Sequence, residues 1–178
     1  MVSATLIPIP IPMAEYLKTS YRPDREYLDG ELRERNVGNW EHARLQSLQS
    51  LQSLQAGWLG RHETNWNVIG SNALRMQVSP VRVRAPDLVV LRPGPQPDVL
   101  TEPPLLVIEI LSPDDTYSDT EERVRGYAKM GVETVWIIDS KTRTGRMCSG
   151  SDRVAARRLA VAGTEIFVEL DEFVSPTG

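Results

Sequence analysis

The sequence predicts an α/β (α+β) fold: a single domain with a mixed central sheet, flanking helices and an N-terminal hairpin. Three observations point to it. Leu105 to Leu111 and Thr134 to Ile138 are short apolar runs separated by a helical stretch, the spacing of strand, crossover helix and parallel strand. Asp29-Gly30 falls between two short alternating segments, a strong local hairpin signal because glycine tolerates positive φ. The 178 residues, 40% hydrophobic and 25% charged, suffice for one ordinary core and fit a second poorly.

Residues 1–20 read as an extended, proline-rich arm and 21–178 as the domain. Pro8, Pro10 and Pro12 oppose a helix at the start, and no basic segment precedes them as a secretory signal would require. No window approaches the roughly 20 apolar residues of a membrane span, so a cytoplasmic protein without membrane contact is expected. Glu26 to Arg35 forms the hairpin. Asn39 caps a helix running to Leu59, with His42 in its first turn. Leu45, Leu48, Leu51 and Leu54 recur every three residues there; each step drifts about 60° around the helix, so the leucines fan over half its surface.

Asn65 to Ile69, Leu74 to Val78 and Val81 to Leu91 read as strands. Leu105 to Leu111 is apolar except for Glu109. A strand of that kind is buried on both faces, and an unpaired carboxylate there costs several kcal/mol or more unless a partner or a metal compensates. Asp119 to Met130 reads as a helix closed by Gly131, and Thr142 to Val168 supplies two or three further strands. Tyr127 and Trp136 read as core, and His62 as a surface residue.

Twenty Lys and Arg against 24 Asp and Glu give a net charge of -4, which excludes coating of nucleic acid by bulk charge. Local basic stretches remain. Arg75 to Arg92 is one; Lys141 to Arg158, with six cations against Asp152 alone, is the other. The second reads either as a solvated hairpin face or as a phosphate-contacting surface. Cys148 is the single cysteine, so no internal disulfide forms and a reducing compartment fits.

Asp87, after Pro86 at the head of a strand, and Glu109, 22 residues on, are the candidate chemical pair. Carboxylates on neighbouring strands bind a hard divalent cation that keeps part of its water shell. Pro86-Asp87 followed by Glu109-Ile110-Leu111 resembles the Pro-Asp…(Asp/Glu)-x-Lys pattern of the PD-(D/E)XK nuclease superfamily. Four stretches resemble its restriction endonuclease domain branch more closely: Tyr27 to Leu32 with Glu26 ahead of it, His42 at a helix start, Arg84 to Val90, and Pro103 to Pro113. The run from Asp119 to Asp139 follows that branch almost position by position.

The resemblance implies a restriction-endonuclease-like core, Asp87 and Glu109 as metal ligands, Mg2+ or Mn2+ as cofactor, DNA as substrate, and Glu31 or His42 as supporting catalytic residues. It also carries one departure. Leu111 stands where the superfamily has lysine, and the branch takes its lysine from the following helix, at the position of Arg123 here. Arginine clamps a phosphate but does not titrate as a base. Two functions therefore stay open: a metal-dependent endonuclease weakened by Arg123, or a catalytically inactive nuclease fold that binds nucleic acid or protein. A homodimer is compatible with cutting both strands.

Overall fold

The computed structural model describes residues 10–22, 25–34, 52–72, 74–95, 97–112 and 115–172. Residues 1–9 of the expected arm, His42 and most of the leucine repeat lie outside them. Helix α1, Met13–Lys18, starts directly after Pro12. An extended arm to residue 20 does not account for it: the prolines stop at Pro12, which tolerates a helix beginning behind it, and MAEYLK favours helix.

Strands β1, Arg25–Leu28, and β2, Glu31–Glu34, form the expected hairpin, with Asp29 at φ 54° and Gly30 at φ 97° in its turn. A π-helical segment, Ser53–Leu59, continues into α2, Gly60–Trp66. The helix thus runs past Leu59, and the strand expected over 65–69 begins only at Ile69. Asn67 explains the shift. It adopts the left-handed conformation at φ 51° and closes the helix, a role that alternating Trp66 and Val68 disguise as strand.

The strands that follow are β3, Ile69–Asn72; β4, Arg75–Ser79; β5, Arg82–Arg84; β6, Leu88–Leu91; β7, Val99–Leu100; and β8, Leu106–Ile110. Helix α3, Tyr117–Met130, leads to β9, Val135–Asp139. Then come β10, Thr144–Ser149; β11, Asp152–Ala156; β12, Arg158–Ala160; and β13, Phe167–Glu169, four strands rather than two or three. Helix α3 begins two residues before Asp119 because Thr116 caps it: its hydroxyl accepts from the Asp119 N–H. Gly131, at φ 99°, ends it as expected.

Two sheets carry the fold, one ordered β2-β1-β5-β4-β7 and the other β11-β10-β9-β8-β6-β3; β12 and β13 pair separately. β8 and β9 are parallel across α3, and their other pairings in the sheet are antiparallel, so it is mixed. The run Val81 to Leu91 does not stay in one sheet. Pro86 has no N–H for a ladder, and the chain passes there from β5 in the first sheet to β6 in the second.

The six-stranded sheet is buried on both sides. Leu88, Val90, Leu106, Ile108, Trp136 and Ile138 face Leu54, Trp58 and Leu59 of the helical segment and the β12–β13 pair. Val89, Val107, Val135 and Ile137 face Val124 and Tyr127 of α3 and Met76 and Val78 of β4. Each such side chain contributes roughly 1.5–3 kcal/mol of burial. Gly145 lies where a Cβ would come within 2.8 Å of Leu159, which lets β12 close over β10.

Arg153 on β11 ties the far end of the sheet to α3 through Glu121, at 3.1 Å. The Arg153 hydrogen bonds hold the Glu121 carboxyl below its ordinary 4.5, against the opposing effect of burial. A lowered folded-state value adds stability that is present above the unfolded value and is lost as pH falls through the folded one. Arg153→Gln should therefore flatten the acid side of a plot of stability against pH, and an acid profile identical to wild type would contradict the pairing. Ile108→Ala should cost about 2–5 kcal/mol in urea unfolding. Val81→Ala, at a side chain 51% exposed, should stay within about 0.5 kcal/mol.

Candidate active site

Register relates the two candidate carboxylates. β6 and β8 pair antiparallel with Leu88 opposite Ile108, so Asp87, the residue just before β6, comes level with Glu109. Leu88, Val90, Leu106 and Ile108 point to one side and Val89 and Val107 to the other, so Asp87 and Glu109 share the side covered by α3. Directly opposed residues on one face have Cβ atoms about 4.5–5.5 Å apart. The Ile110 N–H donates to Asp87 Oδ2 at 2.8 Å, fixing the Asp87 carboxyl at the end of β8.

Glu109 is 2% exposed, as the apolar run implies, and it is partnered. The Tyr127 hydroxyl donates to Glu109 Oε1 at 2.5 Å. Arg123 lies one turn earlier on α3, on the same helix face as Tyr127. Its guanidinium donates to Asp115 Oδ1 at 2.5 Å, and Asp115 Oδ2 accepts from the Ser112 N–H at 2.8 Å. Burial disfavours the Arg123 cation, but the negative charges of Glu109 and Asp115 outweigh it and raise its pKa above the usual arginine value. Arg123 is a fixed positive charge. Its buried Nε has no hydrogen-bond partner among the described residues.

A second ionic network braces the segment that presents Asp87. Glu26 on β1 is buried; its Oε2 accepts from Arg84 at 2.7 Å and its Oε1 from the Ala85 N–H at 3.2 Å. Arg84 also reaches Glu122 on α3 at 3.1 Å, and Glu122 in turn accepts from Arg82, which holds Asp29 of the hairpin turn. One carboxylate thus grips both the side chain and the backbone just before Pro86-Asp87.

Of the residues singled out from sequence, the Asp87 carboxyl meets the backbone next to Glu109, and Arg123 lies within electrostatic reach of Glu109. Glu31 does not join them: it is exposed on the outer strand β2, while Glu26 turns inward on β1. His42 lies outside the described residues. Glu26, Arg84, Asp115 and Tyr127 go unassigned by sequence reasoning. Two signals point to them: the four-residue spacing of Arg123 and Tyr127, and the alternation of Arg82 and Arg84 with apolar residues just before Asp87.

The donor type suits a hard cation, since Asp87 and Glu109 both offer carboxylate oxygens. Among the described residues no group of three or more His, Cys, Asp and Glu side chains gathers at one point, so water or backbone oxygen must complete any coordination.

The family described as "Uma2: Putative restriction endonuclease" matches residues 13–171. This chain belongs to the Uma2 family. The match takes in α1, both sheets and every residue of the site. Among solved structures, this Uma2-family chain is similar to one described as a "putative nuclease" from Anabaena variabilis ATCC 29413, at 18% identity and a TM-score of 0.73. That likeness covers 92% of this chain and 97% of the other, and it shows the nuclease fold expected from sequence. No curated protein matches. No helix among the described residues is long and apolar enough to cross a membrane.

Glu26→Gln should destabilise the protein by up to about 3–5 kcal/mol in urea unfolding, because it leaves the buried Arg84 cation with only the half-exposed Glu122 as carboxylate partner. Disrupting the exposed Asp29–Arg82 pair by Asp29→Asn should cost far less, because water screens it. Equal costs would contradict the bracing role of Glu26.

Proposed function

We propose that this chain is a metal-dependent endonuclease that hydrolyses DNA phosphodiester bonds, with Asp87 and Glu109 holding Mg2+ or Mn2+. What supports this reading is the Asp87 carboxyl held against the β8 backbone next to Glu109, with the fixed cation of Arg123 in electrostatic reach of Glu109. The ion, when bound, supplies Lewis-acid stabilisation of the phosphate and lowers the pKa of coordinated water.

The protein's own residues prepare that chemistry. Tyr127 donates to Glu109 and the Ile110 N–H donates to Asp87, so each carboxylate is oriented by a neutral donor. Arg123 lies close enough to feel the Glu109 charge, and it attracts a phosphate into a locus that two carboxylates alone would repel. Asp115 keeps it in place. Arg123 stays protonated, so it clamps the phosphate and takes no proton. Cleavage of both strands calls for two copies acting together, hence a homodimer on duplex substrate.

One observation favours the second reading, a nuclease fold that binds without cutting: Arg123 is already committed to Asp115, and Leu111 supplies no cation. The same experiment separates the two. The purified chain should nick supercoiled plasmid in Mg2+ or Mn2+. Asp87→Asn and Glu109→Gln should abolish nicking, and Arg123→Ala should slow it by roughly 10²-fold. Nicking that survives Asp87→Asn, or plasmid that stays intact in either metal, would overturn the endonuclease.

A further inference from the structure

The basic stretch from Lys141 to Arg158 is largely spent inside the fold. Arg153 pairs with Glu121, Arg157 with Asp171 and Arg158 with Glu169. The other basic stretch is committed too: Arg75 donates to the carbonyls at the end of α1, Arg82 and Arg84 bind carboxylates, and Arg92 donates to the Trp66 carbonyl. Lys141 and Arg143 are exposed on the turn before β10. Arg146 is half-buried, unlike Lys141 and Arg143, and unlike the paired arginines it enters no ion pair among the described residues; its guanidinium lies 5.5 Å from the centre of the Tyr117 ring. Glu121, an acid that feels its charge, is already held by Arg153.

Sheet register places Arg146 with respect to the site. Asp87 comes level with Glu109, Glu109 beside Ile137, and Ile137 opposite Arg146, one row from the residue just before β6 across β8, β9 and β10. Ile137 and Cys148 both face α3, so Arg146, level with the first and two residues from the second, faces α3 as well. Two strand spacings separate it from Glu109, roughly 10 Å. That is about three phosphate repeats along the axis of one DNA strand. Tyr117, the first residue of α3, is 68% exposed, the most exposed large hydrophobic side chain described.

We propose that Arg146 and Tyr117 form a DNA-docking subsite in line with Asp87 and Glu109, where Arg146 takes a backbone phosphate about three positions along the strand from the scissile one and Tyr117 packs against the adjoining base or sugar. The inference rests on the endonuclease reading and names where its substrate is held. The ring beneath the guanidinium holds the donor fork in one plane, which suits two parallel hydrogen bonds to phosphate oxygens. An exposed aromatic ring stacks on any base, so the subsite grips DNA without reading its sequence.

The test is fluorescence anisotropy of a labelled DNA duplex with the full chain, over a series of salt concentrations, in EDTA and again in Ca2+. Arg146→Ala should weaken binding and reduce the slope of log affinity against log salt by about one, the loss of one phosphate contact. Arg146→Lys should keep the slope. Tyr117→Ala should weaken binding about five-fold or more with the slope unchanged. Arg157→Ala, whose cation is paired with Asp171, should bind as wild type does. Plasmid nicking is measured on the same proteins. Nicking that depends on Asp87 together with an unchanged slope in Arg146→Ala overturns the subsite and leaves the endonuclease standing. A slope reduced by one without nicking supports the subsite and overturns the endonuclease. Wild-type chain that binds no duplex in either condition overturns the subsite.

Discussion

A single buried carboxylate braces the point where the chain leaves one sheet for the other, just before Asp87. Glu26 sits on β1 of the first sheet and grips Arg84 and the Ala85 N–H at the end of β5. The next residue, Pro86, is where the chain leaves that sheet for the other. A chain free to swivel there would leave the β6 register undetermined, and a slip of one residue would turn Asp87 to the opposite face. Burying a charge pair is costly in its own right. Here the cost is offset by a third partner, Glu122, which carries the network onto α3 beside Arg123.

The site itself is an exercise in charge balance under low exposure. Two carboxylates on one face repel each other and repel phosphate, and burial worsens both effects. Arg123 counters them, and Asp115 keeps Arg123 from collapsing fully onto Glu109. Tyr127 supplies a hydrogen bond without adding a charge. A lysine in place of Arg123 would have titrated more readily in such surroundings; arginine trades that freedom for a permanent cation.

Much of this was legible in the sequence where the pattern is one-dimensional. The apolar runs Leu105 to Leu111 and Thr134 to Ile138, the helix closed by Gly131 and the Asp29-Gly30 hairpin each depend on local periodicity or turn chemistry, and each is present. The family resemblance named Asp87, Glu109 and Arg123; the structure sets the Asp87 carboxyl against the β8 backbone next to Glu109 and Arg123 on α3 within reach of the Glu109 charge. What escaped depends on pairing between distant strands. Glu26 and Glu31 are equivalent acids in the hairpin pattern, and only the position of β1 next to β5 buries one while β2 leaves the other exposed. The break at Pro86 is visible as a proline, but which sheet each half joins is not. The helix end at Asn67 was hidden because Trp66 and Val68 alternate as a strand would.

The proposed endonuclease requires Asp87 and Glu109 to act as one hard-cation site. Its most direct test is a crystal of the protein soaked in Mn2+ and measured at the manganese absorption edge. An anomalous peak within about 2.0 to 2.6 Å of oxygens from both carboxylates is the predicted result. A peak bound elsewhere, or density at this locus that only Arg123 and solvent fill, would contradict it.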